Sequence, residues 1–374
     1  MPEDAGKKQE ISNFLQRFKE GLGFDPDLWI DRLIESPDNP SEIPQNFGQS
    51  ATGITVSNLS ELIQQDIDHC FGNGHFLCRM IQAQPGAGKT ASLGYTRFLL
   101  EDWNFRSKND ELRQVIRLGL NLNALTNTPN KGEDLRVRLY LYFLSESIIH
   151  TLCQVYSPNL RQCTEDWLSE LLTDDEVSKI TGAKEKAKKR ILRDILTNLN
   201  DDLSLLFLNF LASVVNNNYA FFISLDEMDA LTNEKEIRKA FYAIRHFLNL
   251  VFEHYQNRIP LLFYFSGLDD ELGEVFMREE ALKSRLLKYA LRLVRFKADE
   301  CEKIKASVET LLEEAYSGYK DFDAFWQELK NIEIPKKSYH SLRTFCATYG
   351  QNVLEIHNRY FKHHDKDFNV FESK

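Results

Sequence analysis

The sequence lacks an apolar stretch long enough to cross a bilayer. Its longest apolar run, Leu203 to Val215, is interrupted by Ser204, Asn209 and Ser213, which makes it too short and too polar to span. A basic excess is also missing. With 46 Lys and Arg against 56 Asp and Glu the net charge is −10, so no global positive field draws the chain to nucleic acid or to an anionic membrane, and any such binding has to be local. The opening MPEDAGKKQE has no apolar core of the kind a signal peptide carries, and the six cysteines (Cys70, Cys78, Cys153, Cys163, Cys301 and Cys346) are scattered. Together these predict reduced thiols in a cytoplasm. No internal repeat or low-complexity tract is present. What remains is 374 residues, 43% hydrophobic and 27% charged, an ordinary globular composition with enough apolar mass for two or three cores.

Within that composition one stretch stands out. Ala83 to Thr90, AQPGAGKT, follows the apolar run His75 to Ile81 and opens onto the helical pattern ASLGYTRFLLEDW. Strand, glycine-bearing loop and helix in that order form a phosphate-binding arrangement: successive backbone N–H groups wrap phosphates, a lysine neutralises them, and a Thr hydroxyl coordinates Mg²⁺. Gly86 and Gly88 permit the tight path, Lys89 supplies the charge, and Thr90 the metal ligand. Gln84, Pro85, Gly86, Ala87, Gly88, Lys89, Thr90 and Ala91 are therefore the candidate nucleotide-binding residues. Ala83 stands where the pattern usually has its first glycine, at the end of the strand. An eight-residue match of this kind arises by chance roughly a few per cent of the time in a chain this long, so it calls for a second, independent signal.

In chain order, residues 1 to 50 are polar and punctuated by Pro26, Pro37, Pro40 and Pro44, which reads as a small helical arm and linker. Ser57 to Cys70 predicts a helix with Ser57 as its N-cap. After the loop and its helix, Val115 to Leu120 is a second strand candidate. Residues 126–218 carry helical patterns instead, a long insertion. Tyr219 to Asp226 (YAFFISLD) is an almost continuous apolar run ending in acid. A helix of 3.6-residue period follows from about Asn233 to Tyr255, then strand candidates Pro260 to Gly267 and Leu291 to Phe296, and only helical patterns from Lys297 onward. The expectation is an α/β fold: a five-stranded parallel sheet covered by helices, with a long helical insertion and a C-terminal helical lid domain. The expected domains are an N-terminal arm and linker over 1–50, an α/β core over 51–297 with the helical insertion at 126–218, and the C-terminal helical domain over 298–374.

The second signal is FFISLDE. A phosphate-bound Mg²⁺ needs a carboxylate at the end of a neighbouring strand, and hydrolysis needs a group that orients water. Asp226 fits the first need and Glu227 the second. A strand ending in surface acids is the bland alternative.

An acidic pair after a later strand, separated from the phosphate loop by an intervening strand, resembles the branch of P-loop NTPases with an additional strand and a catalytic glutamate. A further strand ending in a polar residue, then an arginine, then a helical domain, is similar to the AAA+ superfamily, in particular to initiator, transposition-regulator and STAND-type ATPases, over about Ser57 to Phe361. The resemblance implies ATP and Mg²⁺ as ligands, assembly into a homo-oligomer, and a partner protein. It implies that Ser266 is a polar sensor near the γ-phosphate, although a serine there also caps turns. It implies that EALKSRLLKY holds an arginine finger at Arg285, with Arg278 as competitor. The usual arginine of the helical domain has no clear match; YGQNVLEIHNR offers Asn352 at the expected helix start and Arg359 two turns later.

Other signals carry less. His69, Cys70, His75 and Cys78 lie close in sequence, but His75 and Cys78 fall on opposite faces of a strand. His357, His363 and His364 read as an exposed tail. Lys184 to Arg193 (KEKAKKRILR) is the one dense basic run; a solvated helix face is its default reading, with DNA phosphate contact or a protein partner as alternatives. The resulting reading is an ATPase whose turnover is coupled to assembly. The alternatives are a STAND-type nucleotide switch and, more weakly, a small-molecule kinase.

Overall fold

The computed structural model describes residues 2–20, 33–37, 54–84, 86–107, 113–122, 135–153, 158–199, 202–227, 234–268, 290–293 and 298–361. Helix α1 (Pro2–Glu20) precedes strands β1 (Leu33–Pro37) and β2 (Ile54–Asn58), then α2 (Leu59–Ile67) with a π turn behind it, β3 (Phe76–Ala83), α3 (Lys89–Ser107) and β4 (Gln114–Asn121). The insertion supplies α4 (Leu135–Cys153), α5 (Pro158–Leu171), α6 (Asp174–Gly182), α7 (Glu185–Asn198) and α8 (Leu203–Asn216). After it come β5 (Tyr219–Asp226), α9 (Glu234–Tyr255), β6 (Leu261–Leu268), β7 (Ala290–Leu293), α10 (Ala298–Tyr316), α11 (Phe322–Lys330) and α12 (Leu342–Phe361). Two compact units result. One is built within Leu33–Gln82 and Thr96–Leu293; the other holds Ala83–Tyr95 together with α1 and α10 to α12.

The first unit is a seven-stranded sheet in the order β2-β1-β7-β3-β6-β5-β4. Its five parallel strands are those anticipated from the apolar runs, and β5 lies in register with both β4 and β6. Every residue of β5 is buried, which is why its sequence is nearly all apolar: a parallel strand covered by helices on both faces has no solvent side. Two strands were not anticipated. β1 pairs antiparallel with β2 and with β7; β1 lies within residues read from sequence as arm and linker and β2 at the start of the expected core, and both were missed because LIESP and ITVSN are short segments without an apolar run. Ser57 consequently belongs to β2, and Asn58 occupies the N-cap of α2 without a side-chain cap bond.

The insertion packs into the sheet's core. Phe143 of α4 meets Phe207 of α8 at 5.7 Å between ring centroids, Phe207 meets Phe247 of α9 at 5.4 Å, and Phe247 meets Phe263 of β6 at 6.0 Å. Aromatic pairs at these separations add to simple area burial. A polar hub ties α2 to the sheet. Asp66 of α2, 3% exposed, accepts Nε and Nη2 of Arg79 on β3 at 2.8 and 2.6 Å and the Tyr264 hydroxyl of β6 at 2.6 Å. Burial, then the adjacent carboxylate, push the Tyr264 phenol well above its usual range.

The second unit has its own core, in which Phe14, Leu15 and Phe18 of α1 join Val308, Leu312, Phe345, Tyr349 and Val353 of α10 and α12. Gly350 sets how closely α1 and α12 approach: a Cβ there would lie 2.9 Å from the Lys19 Cα. The Tyr316 and Phe361 rings stack at 4.0 Å.

Asp66→Ala strips both Arg79 and Tyr264 of a buried partner and is expected to cost about 3–5 kcal/mol, whereas Tyr264→Phe, which removes one hydrogen bond, should cost about 1 kcal/mol. Chemical denaturation reads both, and equal losses would refute the hub. A pH effect is expected as well. Burial, with Arg117 and Lys189 adding repulsion, pushes the His150 imidazole down to about 4. Its folded-state value lies below its unfolded one, so the unfolded chain binds the extra proton between about pH 6.5 and 4, and stability falls as pH falls through that window. His150→Gln should remove a loss on the order of 2 kcal/mol in melts across that range.

Candidate functional site

The phosphate loop belongs to the second unit. β3 ends at Ala83, and the chain turns through residues 84–88 before α3 begins at Lys89; Pro85 lies outside the described residues. Gly86 has φ 73° and Gly88 φ 99°, left-handed values that side chains other than glycine rarely adopt. The Ala87 N–H donates to the Gln84 carbonyl at 3.2 Å, and the Ser92 hydroxyl to the Gly88 carbonyl at 2.9 Å. Two left-handed residues ahead of a helix N-terminus make a concavity of backbone N–H groups that suits an anion. Lys89 donates its ammonium to the Ala83 carbonyl at 3.3 Å, so it lies folded across the loop it would neutralise. Thr90 is exposed in the first turn of α3, and Ala91 follows, half-buried.

The start of α12 reaches this loop. A Cβ on Gly86 would lie 2.5 Å from the Ser341 hydroxyl and 3.4 Å from the Arg343 Cβ, and one on Gly88 would lie 3.9 Å from Leu342. This corrects the sequence reading of the helical domain. The helix starts at Leu342, its first-turn Thr344 N–H donating to the Ser341 hydroxyl at 3.3 Å, so Asn352 falls in mid-helix. Arg359 is occupied in a 2.6 Å surface ion pair with Glu328. The arginine beside the loop is Arg343. Its signal was Ser341 three residues ahead of Thr344, a weak N-cap pattern easily passed over after Pro335.

The acidic pair belongs to the first unit. Asp226 closes β5, and Ser266 of β6 donates its hydroxyl to Asp226 Oδ1. The same oxygen accepts the Glu227 N–H at 2.9 Å. Glu227 sits at φ 60°, a left-handed backbone unusual outside glycine, asparagine and aspartate. Sequence reasoning missed a nearby cation. Arg97 of α3 donates Nη2 to the Ser224 hydroxyl at 2.5 Å, two residues before Asp226, and crosses β4 where Gly119 leaves room; a Cβ there would lie 2.5 Å from the guanidinium. Burial lowers the Arg97 pKa, Asp226 opposing and Arg117 adding to that effect. The legible clue was Gly119 inside VIRLGL, since glycine within a strand marks close approach of another group.

The structure therefore forms two groups: Gln84 to Ala91 with Ser341 and Arg343, and Asp226 with Glu227, Ser266, Ser224 and Arg97. Arg285 and Arg278 lie outside the described residues. The basic run on α7 is partly consumed internally. Lys188 is buried and donates to the Thr181 carbonyl at 2.8 Å, while Lys189 and Arg193 grip Glu146 of α4 at 3.0 and 2.8 Å. Lys184, Lys186 and Arg190 remain exposed.

The glycine loop after β3, the acidic pair after β5, and the intervening β6 in the order β7-β3-β6-β5-β4 give the five-stranded parallel α/β arrangement expected of a P-loop fold. No protein-family model matches the chain, and no curated protein matches it. Among solved structures, the chain is similar to the ORC1 protein of Aeropyrum pernix in complex with DNA, with a TM-score of 0.41 and 15% identity over 78% of this chain and 58% of that one. It is similar also to the ADP form of the Aeropyrum pernix ORC2 protein, with a TM-score of 0.43 and 14% identity over 79% and 60%. A third is CDC6P from Pyrobaculum aerophilum, with a TM-score of 0.34 and 14% identity over 84% and 64%. The chain spans about three-fifths of the length of these structures. None of the described helices is long and apolar enough to cross a membrane.

Gly88→Ala is expected to cost about 1–2 kcal/mol through its left-handed backbone and to abolish binding of a fluorescent ATP analogue. Unchanged binding would show that the loop's geometry does not serve phosphate.

Proposed function

We propose that the chain is an ATPase that binds Mg-ATP through Gln84 to Ala91 and hydrolyses it with Glu227. What supports the reading is that one chain holds both left-handed Gly86 and Gly88 just ahead of α3 and a buried strand that ends in two acids, the second with a left-handed backbone. Lys89 swings from the Ala83 carbonyl to the phosphates, exchanging one acceptor for a stronger, charged one. Glu227 orients and polarises the attacking water. Arg343 closes on the phosphates from the helical domain. The oxygen donors of Thr90 and Asp226 are of the hard kind that Mg²⁺ prefers, and a Mg²⁺ held by them would neutralise charge developing on the transferring phosphoryl group.

Turnover is coupled to assembly with further copies of the chain, Arg285 acting on a neighbour's nucleotide, and to a partner protein. DNA contact through α7 rests on Lys184, Lys186 and Arg190 alone. The cytoplasm suits the six free thiols, which persist in a reducing compartment.

Glu227→Gln should retain ATP affinity while lowering turnover by about 10²-fold or more, the scale on which a positioned general base acts. Wild-type turnover in that variant would overturn the assignment. Turnover per subunit should rise with protein concentration; slow, concentration-independent turnover with retained ADP would identify a nucleotide switch instead.

A further inference from the structure

The parallel register carries one residue type to a position where it has a different task from the one its place on the strand suggests. Asn121 of β4 stands opposite Asp226, and Leu225 stands opposite Phe265 of β6, so the next residue of β6, Ser266, faces Asp226 directly. Ser266 is fully buried. Its hydroxyl donates to Asp226 Oδ1, and the Glu227 N–H donates to that same oxygen. A serine hydroxyl carries a single proton. Phosphate oxygens offer only acceptors, so a serine whose proton is committed to a carboxylate has none left for a phosphate.

We infer that Ser266 is a positioning residue that acts through Asp226 rather than a sensor that touches nucleotide. By fixing one carboxylate oxygen, Ser266 sets which face of Asp226 is presented to a metal. Because the Glu227 N–H shares that oxygen, it also stabilises the left-handed turn that aims Glu227. The inference rests on the ATPase reading, with Asp226 as metal ligand and Glu227 as the water-orienting base.

The test measures binding of a fluorescent, non-hydrolysable ATP analogue to the full chain, first in excess EDTA and then across a Mg²⁺ titration. Ser266→Ala should leave affinity in EDTA within about twofold of wild type and raise the Mg²⁺ half-saturation by about 10- to 100-fold, the usual effect of removing a group that orients a metal ligand. Ser266→Thr, which keeps the hydroxyl, should stay near wild type. Ser266→Ala combined with Asp226→Asn should be no worse than Asp226→Asn alone, since both act on one link. If Ser266→Ala does not fold, Ser266→Cys, with its weaker donor, should give an intermediate shift. Weakened binding in EDTA with unchanged Mg²⁺ half-saturation, additive with Asp226→Asn, would restore a direct phosphate contact and overturn the inference while leaving the ATPase reading intact. Wild-type protein that fails to bind the analogue at any Mg²⁺ concentration would instead overturn that reading.

Discussion

Desolvation at the C-terminal edge of the parallel sheet governs the polar chemistry this fold can hold. β5 is buried along its whole length, and a polar group there is tolerable only with a partner, because an unpaired one loses its water without compensation. Each polar side chain on β5 has one. Ser224 accepts from Arg97 and donates to the Leu118 carbonyl, and Asp226 accepts from Ser266 and Glu227. In a low-dielectric setting such bonds are strong and directional, so the need to satisfy buried groups also fixes their orientation. Asp66 repeats the logic on another part of the sheet, where one carboxylate satisfies a guanidinium and a phenol.

The parallel block was legible in sequence because each of its strands is an apolar run long enough to be seen, and the loop and acid pair were legible because glycine, lysine and acid at strand ends have few other uses. β1 and β2 escaped notice since five-residue strands owe their existence largely to backbone pairing, which leaves little mark on side-chain pattern. Side-chain partnerships between distant strands were equally hidden. That Ser266 meets Asp226 depends on the register of β5 against β6, and a register is a property of two segments together. Arg343 escaped because its significance depends on where α12 begins, and boundaries are the least readable part of a helix.

The insertion illustrates another case, a basic run whose default reading was a solvated helix face and part of which is engaged in packing and ion pairs. Lys189 and Arg193 of α7 both reach Glu146 of α4, and Arg193 lies over the Tyr142 ring at 5.6 Å. Long cationic stems covering apolar surface while their heads find carboxylates are common in helical layers. The Phe143, Phe207, Phe247 and Phe263 series then makes the insertion an extension of the sheet's core.

The pairing of α1 with α12 has a consequence for biogenesis. The Ala83–Thr90 loop belongs to a unit whose core is closed by Phe14, Leu15 and Phe18 together with residues more than 300 positions further along the chain, Phe345, Tyr349 and Val353. Such remote pairing is slow to form, because the loop-closure entropy has to be met before the contact returns anything. During translation the apolar face of α1 waits uncovered while the sheet assembles. The unit that carries residues 83–95 therefore closes only after α10 and α12 have been made.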